Sequence, residues 1–416
     1  MPRIRVLMLY LLFIAFGMVD SARPNDWPAW RGADRTGVST ETGLLKEWPE
    51  AGLKLQWKAT DLGQGFSTPS VADNRIYLIG AKSGEEFAIA LNAKDGNQIW
   101  ATKLGAVGKP NQRPNYPGSR STPTVDGDRI YVLGSDGDLA CLDKDGKIIW
   151  KKNLVKDFEG SSGNWAYAES PLIDGDVLVC TPGGSKATLA ALNKKNGEVI
   201  WKAAVPGGQA GYASVIVAEA AGVKQYITLL GSGLVGVAAK DGKLLWNYTK
   251  IAGNTNCPTP IFHDGFVFCS AAGARGGSCA LLRLVAEGDG VSAKEEYVGK
   301  VLANHHGGVV LIGDSLFGTN NSALVCLDFK TGATKWENRS VGKGSVSAAD
   351  GRLYVRGEKD GEVALVDASP AGYKETGRLK PAERGKRSAW PHPVIADGTL
   401  YLRDDDFLLC YDIKAK

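Results

Sequence analysis

The sequence predicts an all-β protein: an eight-bladed β-propeller of four-stranded antiparallel blades, its ring closed by a composite blade drawn from both termini. Three observations predict it. First, one short element recurs as "LNAKDGNQIW", "LDKDGKIIW", "LNKKNGEVIW", "VAAKDGKLLW" and "LDFKTGATKW", ending at Trp100, Trp150, Trp201, Trp246 and Trp336. A glycine (Gly96, Gly146, Gly197, Gly242, Gly332) stands four places before each tryptophan. Second, these tryptophans are 43 to 51 residues apart when Trp57 is included, with one double step of 90. Third, the runs between them are short, rich in Ile, Val, Tyr and Leu, and bounded by Asp-Gly or Gly-Asp, the residues that accept the positive φ of tight hairpin turns. A repeat of roughly 40 to 50 residues with four strands is the pattern of a propeller blade.

The chain opens with Arg3 and Arg5 ahead of an apolar run from Val6 to Val19, followed by the small residues Ser21 and Ala22. That run has the length of a signal peptide's apolar region and is short for a membrane span. Residues 1–22 are therefore expected to be a signal peptide, and the protein to be exported, periplasmic or secreted, with no transmembrane segment after cleavage. No cysteine follows the run, which argues against a lipid anchor. Residues 23–52 form an N-terminal extension and residues 53–416 the propeller.

Units begin near Ser67, Ser121, Glu169, Ala213, Pro258, Gly307 and Ser345. A last one, "PHPVIADGTLYLRDDDFLLCYDIK", lacks its tryptophan strand, which "LKLQWKATDLG" at 53–63 supplies. Joining the two removes two open sheet edges. The unit between Trp246 and Trp336 carries Tyr297 in the tryptophan's place. The fifth and seventh units are degenerate, which leaves seven blades as the alternative count. Trp57, Trp100, Trp150, Trp201, Trp246 and Trp336 are expected to pack on the neighbouring blade, since one thin sheet cannot cover a ring that large. Pro69, Pro123, Pro171, Pro260 and Pro393 suit innermost strands, which need no amide partner on the axis side. Deleting 53–63 should open an aggregation-prone edge, and deleting 23–45 should be milder.

Hydrophobic residues at 44% and charged residues at 23% are ordinary for a globular protein, and a net charge of +4 makes no case for nucleic acid. Of seven cysteines, Cys141, Cys326 and Cys410 fall at matching strand positions, which reads as a small buried site. Cys269 and Cys279 flank a Gly-rich turn and are candidates for a cross-hairpin disulfide. There is no CxxCH, no paired CxxC, no nucleophile elbow and no HExxH. Asp404, Asp405 and Asp406 read as a solvated turn.

A strand ending in Asp or Asn, a Thr-Gly or Asp-Gly turn and then tryptophan resembles the repeat of the quinoprotein alcohol dehydrogenase-like superfamily, the PQQ-repeat β-propellers. The resemblance covers nearly all of 53–416, and the leader "DWPAWRGADRTGVSTETGLLKEWP" is similar to that of secreted PQQ-like propellers of planctomycete-type bacteria. The superfamily holds PQQ- and calcium-dependent dehydrogenases and a non-enzymatic outer-membrane assembly scaffold, BamB, so the resemblance implies a fold and leaves two functions open. The dehydrogenases carry an adjacent Cys-Cys pair over the quinone, and no Cys-Cys occurs here. The resemblance therefore favours a ligand- or protein-binding envelope scaffold with no cofactor, with a PQQ- and Ca²⁺-dependent alcohol or sugar dehydrogenase as the alternative.

The connections from each outermost strand to the next innermost one should share a face around the axis, where the superfamily's enzymes hold their quinone. They contain Arg113, Tyr116, Arg120, Trp165, Tyr167, Glu169, His305, His306, Arg387, Trp390 and His392. No metal is expected, because adjacent side chains such as His305 and His306 diverge on extended chain. Lys109, Arg113, Arg120, Lys343, Arg384, Lys386 and Arg387 outnumber Glu159, Glu169 and Glu383 in these connections. The expected partner is thus an anionic small molecule or glycan, or an envelope protein, bound by a monomer.

Overall fold

The computed structural model describes residues 25–109, 116–251, 253, 255–273, 276–288, 290–381 and 383–415. Eight antiparallel sheets follow one another around the ring, and the eighth is composite: Leu55–Ala59 is the outermost strand on Phe407–Asp412, Thr399–Asp404 and Val394–Ala396. Blades 1 to 7 occupy 70–106, 124–153, 172–203, 216–248, 261–299, 309–338 and 344–379. Hairpin chemistry is as the sequence implies: Asp264 at φ 49° and Gly265 at φ 77° turn blade 5's first strand into its second. The five prolines immediately precede inner strands. One short helix appears among the described residues, Leu154–Phe158, capped by the Asn153 side chain accepting from the Val155 and Lys156 amides.

All eight outer strands carry a one-residue bulge directly before the tryptophan position. The extra residue faces outward, and the next side chain lies against the following blade. There the two halves of the repeated element meet. Trp201 Nε1 donates to Ala239 O of blade 4 at 3.0 Å, and a Cβ on Gly242 of the same turn would sit 2.5 Å from the Trp201 ring. Trp57, Trp100 and Trp150 repeat the arrangement on Gly96, Gly146 and Gly197, as does Tyr297 on Gly332. The glycine is needed twice, for its positive φ and for its missing side chain. Trp246 differs: its indole donates to Gln225 Oε1 within its own blade at 2.8 Å, while the ring packs in the cluster shared with blade 5.

In blade 7 the tryptophan position is Gly377, opposite Leu365. The ring there comes from Trp48 of the N-terminal segment, lying over Gly377 and packed with Tyr354 at 6.1 Å and 52°. Trp57 and Tyr401 make the same pair at 6.0 Å and 51°, Trp150 and Tyr131 at 6.3 Å and 47°. The seventh unit looked degenerate in sequence because its tryptophan belongs to residue 48.

The segment before Leu53 is built into the ring. It runs along the axis and touches the inner rim of all eight blades. Trp27 pairs with Val71, Pro28 O accepts from Val125 N, and Arg35 donates to Ser170 O, Pro171 O and Val215 O. Trp30 reaches Thr259, Arg31 donates to Val309 O, Gly37 O accepts from Ala348 N, and the Trp30 ring lies 4.6 Å from that of His392. Val38–Ser39 then adds a fifth, parallel strand to blade 7. Inner-strand carbonyls have no sheet partner on the axis; buried Arg35 satisfies three carbonyls along the inner rim, and buried Arg31 satisfies one there and Thr36 O of its own segment. The expectation that deleting 23–45 would be mild is not supported by this packing.

Every cysteine is a free thiol, so the candidate Cys269–Cys279 bridge is not formed. Cys269 stands opposite Ala280, and Cys279 opposite Ser270, so the two thiols point to opposite faces of the sheet. Cys141, Cys326 and Cys410 are buried in third strands, as the matching positions implied.

Candidate ligand-binding mouth

Above the axial segment, the connections between blades converge on Trp390. Its ring centroid lies 4.5 Å from Phe66, 4.7 Å from Tyr116 and 5.2 Å from His306. The Arg120 and Arg387 guanidiniums each lie 5.9 Å from the Phe66 ring. Trp165 packs edge-on to Tyr212 at 6.1 Å. Trp390 Nε1 is buried without a partner. Seven of the eleven sequence-predicted residues thus line or adjoin this recess: Tyr116, Arg120, Trp165, His305, His306, Arg387 and Trp390.

The others lie elsewhere. Tyr167 is buried in the wall and donates to Pro182 O at 2.8 Å. Glu169 is buried beside the axis, accepting from the Thr181 amide and hydroxyl. His392 is sealed under the recess, its Nε2 3.0 Å from His306 O, and burial pulls it down to about 3. Arg113 falls outside the described residues. Tyr212 is among the residues the connections point to; Phe66, in the connection GQGF, is not singled out by the sequence, and Trp30 has no repeat context to place it.

The electrostatics differ from the expectation. Lys343 pairs with Glu358 at 2.9 Å, Arg384 with Asp404, and Arg387 with Asp405 at 3.4 Å. These carboxylates come from the turns between second and third strands, which open on the same face and were left out of the sequence tally. The aspartates at 404–406 are therefore not simply a solvated turn: Asp404 is 1% exposed and bridges Arg356 and Arg384. Arg387 also donates to Pro117 O and Gln64 Oε1, and Arg120 to Tyr116 O and Gly118 O, so both brace loops. Burial lowers Arg120 to about 10, which leaves it charged at neutral pH, and lowers His305 to about 3, which leaves it neutral. Burial likewise lowers His306, against the pull of Glu358, whose Oε2 lies 3.2 Å from His306 Nε2 and 2.9 Å from Lys343 Nζ.

Glu169 offers a test of this interior. Burial raises it to about 7, against hydrogen bonds from Thr181 and the charge of Arg35 that lower it. With a folded value above the unfolded one, its contribution to stability is full below pH 4.5 and is lost as pH rises through 7. Glu169→Gln is expected to flatten the stability profile between pH 4.5 and 7, by about 1.4 kcal/mol per pKa unit removed. Urea melts across that range check it; an unchanged slope would show that another group titrates.

The sequence profile of the family described as outer membrane protein assembly factor BamB, a PQQ-type repeat, matches residues 20–115 and 88–338. The chain belongs to this family of PQQ-repeat propellers. Tetrathionate hydrolase of Acidithiobacillus ferrooxidans is 22% identical over 333 residues, 74% of this chain and 59% of that protein. BamB of Moranella endobia is 26% identical over 170 residues, 39% of this chain and 40% of its own length. The matches therefore span about three-fifths or less of those two relatives. BamB of Burkholderia pseudomallei is 24% identical over 66% of this chain and 67% of its own. Among solved structures, the quinohemoprotein alcohol dehydrogenase from Comamonas testosteroni superposes with a TM-score of 0.65 at 14% identity, covering 95% of this chain and 81% of the enzyme. The computationally designed Ika8 protein gives 0.61 at 9% identity, covering 86% of this chain and all of the design. At these identities the structures establish the fold alone. Among the described residues of this PQQ-repeat propeller, no helix is long and apolar enough to cross a membrane.

A quinone with calcium, the group the dehydrogenase branch implies, finds a poor match in the donor set. No group of three His, Cys, Asp or Glu among the described residues could hold a metal ion. The carboxylates nearest the mouth are already engaged: Glu86 by Ser119 and Ser135, Glu358 by Lys343, Asp404 by two arginines.

Proposed function

We propose that this chain is an exported binding scaffold of the cell envelope, monomeric and without redox chemistry of its own, that takes its ligand in the recess around Trp390. One observation carries the reading: the axis beneath Trp390 is filled by residues 27–37, tied to every blade, so a ligand on this face would meet the aromatic connections rather than an open channel. Tyr116 and Trp390, packed over the buried Phe66 ring with Arg120 close by, suit a sugar or flat ring bearing an anionic group. Membership of a family described by an outer-membrane assembly factor supports the envelope setting.

Two measurements test it. Titration of the purified protein with PQQ and Ca²⁺, followed by absorbance and a dye-linked alcohol oxidation assay, is expected to give neither a saturable quinone spectrum nor turnover. Turnover would replace this reading with the dehydrogenase one. On an oligosaccharide array, acidic members should bind better than neutral ones, and Trp390→Ala or Arg120→Ala should weaken them roughly tenfold. Equal binding of acidic and neutral sugars would remove the anionic preference.

A further inference from the structure

The outward-facing bulge residues divide the ring in two. On blades 1 to 4 they are Ile99, Ile149, Ile200 and Leu245; on blades 5 to 8 they are Glu296, Lys335, Thr376 and Gln56. The bulge recurs on every blade, but its setting varies: Thr376 lies under Trp48 with its hydroxyl buried, and Leu245 packs against the core of blades 4 and 5, which leaves Ile99, Ile149 and Ile200 as the exposed apolar set. The three isoleucines are 44%, 40% and 51% exposed, while Leu245 is half-buried. Among the described residues, the other exposed large apolar side chains are Val155 and Val199 on the same half, and Leu55, Val298 and Val301 on blades 8 and 5.

Charge differs between blades 1 to 4 and blades 5 to 7, while blade 8, with Lys54 and Lys58 and no acidic residue on its outer segment 53–59, falls with the first group. The outer hairpins and strands of blades 1 to 4 (92–106, 143–153, 193–203, 238–248) hold 11 lysines against 5 acidic residues. Those of blades 5 to 7 (286–299, 328–338, 367–379) hold 5 cations against 8 acidic residues. Lys103, Lys151, Lys194 and Lys195 pair with Glu85, Asp138, Asp126 and Asp176 outside these windows, which leaves 7 lysines against 5 acidic residues on the first half. Exposed isoleucine is costly to leave in water at three equivalent places, and the outer strands also present unpaired backbone groups.

We infer that the outer wall of blades 1 to 3, continuing to blade 4, is a docking surface for an extended acidic polypeptide whose apolar side chains meet Ile99, Ile149 and Ile200. The wall's shape selects this occupant. It is convex and spans nearly half the ring, so a flat bilayer or a second, equally convex propeller would touch one blade at a time. An extended chain can follow the curve and offer carboxylates to the lysines and backbone groups to the free strand edges. This surface is separate from the Trp390 recess and stands whether or not that recess binds sugars.

The test uses the full mature chain and a fluorescein-labelled peptide of alternating glutamate and valine, with a lysine-valine peptide as counterpart. The acidic peptide should bind in an anisotropy titration, lose about tenfold or more in affinity to the triple variant Ile99→Ser, Ile149→Ser, Ile200→Ser, and be unaffected by Trp390→Ala. The exposed positions should leave the melting temperature unchanged. Equal binding of both peptides, or of wild type and triple variant, would overturn the inference. So would concentration-dependent self-association, or binding to phosphatidylglycerol vesicles, that the triple variant abolishes while peptide binding is absent.

Discussion

Trp48→Ala should destabilise the protein by about 3–5 kcal/mol, as much as Trp201→Ala, although residue 48 lies outside every repeat. Trp48 is 8% exposed and Trp201 9%, and each supplies the large ring at one blade interface. Around Trp48 the cluster joins Tyr354 and Leu365 of blade 7 to Leu400, Leu402 and Leu409 of blade 8. Gly377 leaves no side chain to fill the space, so removal creates a cavity at the seam where the ring closes. The indole of Trp48 makes no hydrogen bond, whereas that of Trp201 donates to Ala239 O, so the burial contribution is read more cleanly at residue 48. Urea denaturation of both variants decides. A loss below about 1 kcal/mol at Trp48 would show that blade 7 closes on blade 8 without it.

Arg356→Leu should cost a comparable 3–5 kcal/mol. Arg356 is fully buried, donates to Pro391 O at 3.2 Å and Arg403 O at 2.6 Å, and pairs with Asp404 Oδ2 at 3.1 Å. Burial lowers its pKa to about 10 against the charge of Asp404, so it remains a cation at neutral pH. Leucine strands two carbonyls and leaves the Asp404 carboxylate to Arg384 and the Gly385 amide. The double variant Arg356→Leu, Asp404→Leu should recover part of the loss, since taking out both charges removes the uncompensated one. A single-variant loss under about 1 kcal/mol would mean that Arg384 and the Gly385 amide satisfy Asp404 unaided.

The blade architecture was legible because it is periodic. The glycine-to-tryptophan spacing, the Asp-Gly turns and Tyr297 in a tryptophan's place are local signals repeated many times, and the composite eighth blade followed from what each terminus lacked. Trp48 and the axial run from Trp27 to Gly37 were not legible for the opposite reason. Each occurs once, and its partners are as far away as Thr259, Val309 and Thr376. The mouth was half legible. Aromatic residues in the connections could be assigned to one face from topology, but the sequence reading summed charge over those connections alone. Asp404, Asp405 and Glu358 stand in other turns, and only the fold brings them to Arg384, Arg387 and Lys343.

The axial segment also sets an order of events in time. Residues 27–37 leave the ribosome before any of their partners, which run from Val71 to His392, and Trp57's strand waits for Phe407–Asp412. The axial segment is thus made early and satisfied late. Blades 1 to 6 can form as they emerge, but the ring cannot close, nor its centre fill, until Phe407–Asp412 has been made. Until then the open edge of blade 8 and the unfilled axis are exposed together, which makes the interval between emergence and closure the period in which a holding chaperone would matter most.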